Sequence, residues 1–317
     1  MRTIGGYFGL EINSGNHYYE DAIKLNKGRD CLEYVIKAKQ YKKIYIPYYT
    51  CEVILDPIKA CNISYEFYSI NEFLEPVQKY ELGCNEAFLY TNYFGIKDDA
   101  VEKLANIYRS QLIIDNSQAF FSKALTGVDT FYSARKFFGV ADGAYLSTDV
   151  LLNEELEQAM SYNRMSHLLK RPDISAETGY NDFILENWML RDVPMKKMSK
   201  ITDKILSGID YEKVMNVRKE NFLLLANELD NKNLLKINSS QEITPMVYPL
   251  FIEKENLKGK LIENKIYAAT YWPNVLKWCS CNQFEYNLAK YIISIPIDQR
   301  YNKEDMRYIV EFLKQYI

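Results

Sequence analysis

The sequence predicts an α/β protein in which helices cover a mostly parallel sheet, followed by a smaller C-terminal α+β domain. Two observations lead to this fold class. Short apolar strands alternate with amphipathic helices as far as Asp115, and such strands suit a parallel sheet that is buried on both faces. The pattern changes near residue 200, where a long helical stretch begins. We therefore predict a large domain over residues 1–200 and a small domain over residues 201–317.

The elements of the large domain follow one another in a β-α-β rhythm. A first helix is predicted over 28–38, because Leu32, Val35 and Ile36 recur at the i, i+3, i+4 spacing of a helix that packs on one side. Another helix with one apolar face begins near Asp98. The remaining elements are a strand at 43–47, a helix at 50–60, and strands at 63–68, 87–91 and 112–115.

The small domain begins with a predicted helix over 211–229. Strands are then predicted at 246–252, 266–271 and 292–297. The last element is a helix for which Asn302 is the expected N-cap, with Asp305 three residues further on, as in a capping box. No repeat or flexible linker separates the two parts, so we expect the domains to pack together.

The composition points to a small-molecule partner. The 317 residues include 39 Lys and Arg and 42 Asp and Glu, so the net charge is -3 and the signs are interspersed. This charge balance does not indicate the basic patch that binding to nucleic acid or to an anionic membrane surface requires. No stretch approaches the ~18 apolar residues of a membrane span, and the N-terminus does not read as a signal peptide.

The six cysteines and two histidines favour neither a disulfide framework nor a metal site. The cysteines are scattered, and the pair Cys279 and Cys281 has no second pair or nearby histidine to complete a zinc site, so no metal is expected. A cytoplasmic location fits this cysteine usage best.

The residues that suggest chemistry lie between Leu112 and Tyr145. Asp115 ends a predicted strand, Gln118 follows three residues later, and Lys136 stands among aromatic residues 21 positions after the aspartate. In isolation, an aspartate here would cap a helix and a lysine would be solvated. An aromatic environment, however, lowers the pKa of an amine by desolvation, which favours imine formation with an aldehyde. An aspartate that keeps a pyridine nitrogen protonated is the partner that pyridoxal phosphate needs.

At these residues the sequence resembles the DegT-like sugar aminotransferases, which are pyridoxal-phosphate (PLP) enzymes of aminotransferase fold type I. The segment FYSARKFFGVADGAYLST (131–148) is similar to the family's lysine block and places Lys136 on the Schiff-base lysine. The segment IIDNSQA (113–119) resembles its Asp-x-x-Gln/His motif. This implies that Asp115 pairs with the pyridine nitrogen and that Gln118 lies by the ring oxygen.

Two further segments extend the resemblance over most of the chain. LNKGRDCL (25–32) is similar to the turn that holds the cofactor phosphate at a helix N-terminus, which implies phosphate contacts at Gly28, Arg29 and Asp30. ETGYNDF (177–183) resembles the segment whose asparagine reaches the phosphate of the neighbouring subunit's cofactor. Asn181 in that role implies a homodimer with shared active sites.

The sequence departs from the family pattern at several positions. Phe131 replaces the serine that contacts phosphate, for which Ser133 is the expected substitute. Cys51 stands where the family has the aromatic residue that stacks on the cofactor ring, and Tyr49 or Tyr48 is expected to stack instead. The family has an arginine, a glutamate and a glycine at three further positions, where this sequence has Phe183, Asp142 and Ala144.

The resemblance implies an aminotransferase that takes an amino group, with glutamate as the expected donor, and transfers it to a nucleotide-linked keto sugar in polysaccharide or amino-sugar biosynthesis. The segment YAATYWP (267–273) is expected to reach this substrate. Two alternatives stay open: a PLP-dependent sugar dehydratase, and a non-catalytic binding or regulatory relative. The role of Arg135 also stays open, because a phosphate contact, a substrate carboxylate contact and a surface salt bridge explain it equally well.

Overall fold

The computed structural model describes residues 4–191, 193–237 and 243–317. Within these residues the largest feature is a seven-stranded sheet. Its strands are β1 (Ile23–Leu25), β2 (Lys43–Pro47), β3 (Ser64–Tyr68), β4 (Glu86–Thr91), β5 (Leu112–Asp115), β6 (Asp129–Ser133) and β7 (Ala144–Ser147).

The strand order is β1-β7-β6-β5-β4-β2-β3. Strands β6, β5, β4, β2 and β3 run parallel, whereas β7 is antiparallel to both of its neighbours, β6 and β1. Because the central strands are parallel, their carboxyl ends lie at one edge of the sheet. Loops and helix N-termini converge at such an edge, which is where open α/β sheets bind ligands.

The first helices are α1 (Gly28–Lys39), α2 (Leu55–Ala60), α3 (Asp98–Tyr108), α4 (Ser166–Asp173) and α5 (Ala176–Met189). The later helices are α6 (Lys200–Ser207), α7 (Tyr211–Leu229), α8 (Leu257–Glu263), α9 (Val275–Trp278), α10 (Phe284–Tyr291) and α11 (Lys303–Leu313). A second, antiparallel sheet of β8 (Val247–Phe251) and β9 (Ile292–Pro296) lies among the later helices.

Alternate residues of β5 enter two different hydrophobic clusters. Ile113 packs in a cluster with Leu32 and Val35 of α1, on one face of the sheet. Leu112 and Ile114 belong to a larger cluster on the other face, which extends into the C-terminal part of the chain. The sheet is therefore buried on both sides, as its apolar strands predict, and the predicted α/β fold class is confirmed.

Most predicted elements form within a few residues of their expected bounds, and the predicted helix over 211–229 matches α7. The strand predicted at 266–271 is wrong, since this segment makes only an isolated bridge between Ala269 and Ser294. Its backbone is used elsewhere: the Tyr49 hydroxyl donates a hydrogen bond to the carbonyl oxygen of Tyr271. The division into two domains at residue 200 stays a prediction.

Among the described residues, no helix combines the length and the apolar character that a bilayer crossing requires.

Candidate active site

Asp115 is the last residue of β5 and lies between two neighbouring strand ends. It pairs in register with Thr91 of β4 and Phe131 of β6. The residue is buried, and its Oδ1 accepts a hydrogen bond of 2.8 Å from the backbone N–H of Ser117. Burial raises the pKa of Asp115, while the positive charge of Lys136 and hydrogen bonds from Ser117 act in the opposite direction. Asp115 is thus a buried carboxylate with a cation beside it.

Lys136 lies in the turn that follows β6. Residues Ala134–Lys136 form a short 3-10 helix, closed by hydrogen bonds from the N–H groups of Phe137 and Phe138 to the carbonyl oxygen of Ala134 at 3.0 and 2.9 Å. Since β5 and β6 are adjacent and parallel, this turn carries the amine toward the carboxyl end of β5. The structure therefore brings together the two residues that the sequence motifs single out.

Aromatic side chains from the C-terminal part of the chain cover the amine. The Nζ atom of Lys136 lies 5.4 Å from the centre of the Tyr271 ring and 5.8 Å from the centre of the Trp272 ring. The Asn274 side chain donates a hydrogen bond of 2.9 Å to the carbonyl oxygen of Thr50, which ties this segment to the loop after β2. Two residues of the segment 267–273 thus lie beside Lys136, and its expected contact with the substrate stays a prediction.

Cys51 is the third group around the lysine. It is partly buried, and desolvation raises the pKa of its thiol, whereas the charge of Lys136 lowers it and that of Asp115 raises it. The thiol is therefore close enough to Lys136 and Asp115 for both charges to act on it. Burial, together with the Cys51 thiol, also raises the pKa of the Tyr271 hydroxyl to about 12.

The first turn of α1 lies against the same strand ends. A Cβ atom added to Gly28 would stand 3.3 Å from Ser117 Oγ and 3.8 Å from a ring carbon of Phe131, so glycine keeps this crevice open. The N–H groups of a first helical turn have no partner inside the helix and attract anions. Ser133, at the end of β6, is partly buried.

The side chains of Arg29 and Asp30 already have partners. Arg29 binds Asp56 at 2.9 Å and the carbonyl oxygen of Leu190 at 2.6 Å. Asp30 lies 3.1 Å from Lys27, and burial raises the pKa of Asp30 to about 7 against the attraction of that lysine. An anion at this turn would accordingly contact backbone rather than these side chains.

Gln118 connects the site to the loop after β4. Its Oε1 accepts a hydrogen bond of 2.9 Å from the N–H of Phe94, and its buried Nε2 has no hydrogen-bond partner among the described residues. A buried donor without an acceptor costs free energy. An oxygen atom of a bound ligand would satisfy it.

Tyr49 packs against the aromatic segment that covers Lys136, whereas Asn181 lies on the surface. Tyr49 is fully buried, with its ring 5.1 Å from Trp272 and 5.6 Å from Tyr93. Tyr48 stacks on Phe67, at 4.7 Å. The expectation that Tyr49 or Tyr48 stacks on the cofactor ring stays a prediction. Asn181 is exposed on α5.

Sequence reasoning missed Ser117, which bonds to Asp115 and borders Gly28. The signal was a hydroxyl residue two positions after the strand-end aspartate, but only the folded turn shows that its backbone N–H donates to Asp115 and that its hydroxyl lies beside Gly28. Trp272 was included only as part of a longer segment.

Comparisons with known proteins support the fold. No protein-family model and no curated protein matches the sequence. Solved structures do match: AtS13 from Actinomadura melliaura has 14% sequence identity and a TM-score of 0.63, over 94% of this chain and 87% of that chain.

Two other solved structures give the same result. A putative sugar aminotransferase from Streptococcus pneumoniae, Spr1654 in its PLP-form, has 13% identity and a TM-score of 0.61 over 93% of this chain and 86% of that one. A DegT DnrJ EryC1 StrS aminotransferase from Brucella abortus has 12% identity and a TM-score of 0.59 over 93% and 85%. The chain thus has the fold of the sugar aminotransferases that it resembles.

Proposed function

We propose that this chain is a PLP-dependent aminotransferase that acts on a nucleotide-linked keto sugar. The observation that carries the proposal is the placement of Asp115 and Lys136 at adjacent carboxyl ends of the sheet, with the first turn of α1 beside them. An acid, an amine and an anion cradle are the three contacts that PLP requires at its ring nitrogen, its aldehyde and its phosphate.

The residues present fit this cofactor. The crevice that Gly28 leaves open and the first-turn N–H groups of Gly28 and Arg29 suit a phosphate, with Ser133 as a further donor. The N–H of Asp30 already donates to the carbonyl oxygen of Lys27 at 3.1 Å, so the phosphate contact expected of Asp30 would require that bond to be exchanged. The unpartnered Nε2 of Gln118 suits an oxygen on the ring. When bound, PLP supplies a pyridine ring that withdraws electrons from a substrate carbon.

The protein's own residues would then have separate roles in the reaction. Asp115 holds a proton on the ring nitrogen, because a carboxylate in a buried site stabilises a positive charge beside it. Lys136 binds the aldehyde and moves a proton at the α-carbon of the amino donor. Tyr271 and Trp272 cover the amine and limit the access of water.

The substrate class is proposed from the fold and the resemblance. AtS13 and Spr1654 have the same fold, and Spr1654 is described as a putative sugar aminotransferase. We propose glutamate as the amino donor, amino-sugar or polysaccharide biosynthesis as the pathway, and the cytoplasm as the location.

We also propose a homodimer with shared active sites. Helix α5 exposes a stripe of apolar side chains one turn apart, since Tyr180, Ile184 and Trp188 are 60%, 50% and 64% exposed. Asn181 is adjacent to this stripe. A second copy that covers the stripe would bring Asn181 against the partner subunit, as the resemblance implies.

Two alternatives remain less well supported. A sugar dehydratase of this fold is expected to lack the Schiff-base lysine, which is present here as Lys136. A non-catalytic relative is favoured by Phe131, Cys51 and Phe183 at positions where the family keeps ligand contacts. Whether PLP becomes attached to the protein distinguishes this relative from an enzyme.

The first test is the attachment of PLP to Lys136. Purified protein is mixed with PLP, its visible absorption is recorded before and after borohydride, and the modified residue is identified by mass spectrometry. We expect borohydride to fix PLP on Lys136 in the wild type and in the control Lys123→Ala, which removes an exposed lysine, but not in Lys136→Ala. An unmodified wild type would refute the proposal and favour the non-catalytic relative.

A further inference from the structure

Arg135 precedes Lys136 in the same short turn, and its side chain forms no ion pair with a carboxylate among the described residues. The structure gives its guanidinium one neutral acceptor, the Asn187 side chain on α5, at 2.7 Å. Its Nε is buried and has no hydrogen-bond partner, and no ion pair involves Arg135 within residues 4–191, 193–237 and 243–317. The surface salt bridge considered from the sequence is therefore absent in this part of the chain.

The neighbouring charges compensate Arg135 only in part. Burial and the charges of Arg164 and Arg29 lower its pKa to about 10, against the opposite effect of Asp142 and Glu186. The nearby carboxylates have other partners. Asp142 accepts hydrogen bonds from Ser199 and Thr202, and Glu186 lies 2.5 Å from His167.

A partly buried cation without a direct carboxylate partner is costly, so an anion that binds beside it gains free energy. A guanidinium presents its donors in a planar fork that matches carboxylate and phosphate oxygens. The turn that carries Arg135 also carries the reactive amine. The chain lacks the arginine that the resemblance expects at position 183, where the exposed Phe183 stands instead.

We infer that Arg135 is an oxyanion-binding residue of this site, and that its guanidinium receives a phosphate or carboxylate oxygen of a ligand held at Lys136. The inference rests on the proposed function for the identity of that ligand, which is either the cofactor through its phosphate or the amino donor through its carboxylate. The geometry around Arg135 is independent of that choice.

The test compares Arg135→Gln and Arg135→Lys with two controls. Asn187→Ala removes the same side-chain hydrogen bond, and Arg171→Gln removes an exposed arginine. Dissociation constants are measured for PLP and for pyridoxal, which lacks the phosphate. The glutamate concentration that half-saturates the change in cofactor absorbance is measured separately.

A phosphate contact predicts that Arg135→Gln weakens PLP binding by about 10- to 100-fold while pyridoxal binding is unchanged. A carboxylate contact predicts unchanged PLP binding and a similar rise in the half-saturating glutamate concentration. In either case Arg135→Lys should weaken ligand binding less than Arg135→Gln does, because lysine keeps the positive charge and lacks only the planar set of donors. The inference is overturned if neither constant changes by more than twofold, or if Asn187→Ala reproduces the whole effect.

A measurement on the wild type covers variants that fail to fold. Phenylglyoxal modifies accessible arginines, and mass spectrometry quantifies the modification of Arg135 with and without inorganic phosphate, PLP or glutamate. Protection of Arg135 but not of Arg171 supports an anion site, whereas equal modification under all conditions refutes it. If the wild type does not retain PLP, the proposed function fails, and protection by inorganic phosphate alone then decides the inference.

Discussion

The charge state of Asp115 depends on its burial, on Lys136 and on Ser117. Burial favours the protonated carboxyl, whereas the lysine and the hydrogen bonds from Ser117 favour the carboxylate. A protonated Asp115 cannot stabilise a positive ring nitrogen. In the proposed enzyme, the hydroxyl of Ser117 would therefore help to set the lowest pH at which the site works.

We predict that Ser117→Ala shifts the acid limb of the pH profile to higher pH. The variant keeps the backbone N–H bond to Asp115 and loses the hydroxyl, whose hydrogen bond lowers the pKa of Asp115, so that pKa should rise further. The measurement is the rate of reaction with glutamate as a function of pH, for the variant and for Ser110→Ala, which changes an exposed serine. An unchanged limb, or a shift to lower pH, would contradict this role.

The main residues of the site were predictable from the sequence because their types and order are unusual together. Asp115 ends an apolar strand and Lys136 stands among aromatics, and the structure places them on adjacent strand ends. The surroundings were not predictable. The positions of Ser117 and Trp272 relative to these two depend on how a turn bends and on contacts more than 100 residues apart in the chain.

At the scale of elements, prediction succeeded where the signal was local. The capping box of α11 is an example: Asn302 accepts hydrogen bonds from the N–H groups of Glu304 and Asp305, and the Asp305 side chain accepts one from the N–H of Asn302. The predicted strand at 266–271 failed although its residues are apolar enough for a strand, because its end at Tyr271 and the following Asn274 bind the loop after β2 instead. Tertiary contacts, rather than the local sequence of the segment, therefore determine its conformation.

We predict that Asn302→Ala lowers the free energy of unfolding by about 0.5–2 kcal/mol, because two N–H groups of the first turn lose their acceptor. Asn302→Asp should keep most of the stability, since a carboxylate accepts the same bonds and favours a helix N-terminus. Urea denaturation of the three proteins measures the differences. An unchanged free energy of unfolding in Asn302→Ala would mean that the cap does not stabilise α11.

At the scale of the whole molecule, the fold leaves helix α5 with an apolar face that no described residue covers. The exposed side chains recur four residues apart, so they lie on one side of the helix, and they border Asn181. Exposed patches of this kind mark protein–protein interfaces more often than they mark the surface of a monomer. The proposed dimer would bury this face and complete each site with the asparagine of the other chain.

We predict that Trp188→Asp converts a dimer into a monomer, because a carboxylate in an apolar interface must be desolvated without a partner. Light scattering coupled to size-exclusion chromatography should give twice the chain mass of 37.2 kDa for the wild type and the chain mass for the variant. Val77→Asp is the control, since Val77 is as exposed, at 63%, but lies far along the chain from α5. If Asn181 contacts the cofactor of the neighbouring subunit, the monomeric variant should also bind PLP more weakly. An unchanged PLP affinity in a variant that is monomeric would mean that dimerisation does not contribute to the cofactor site.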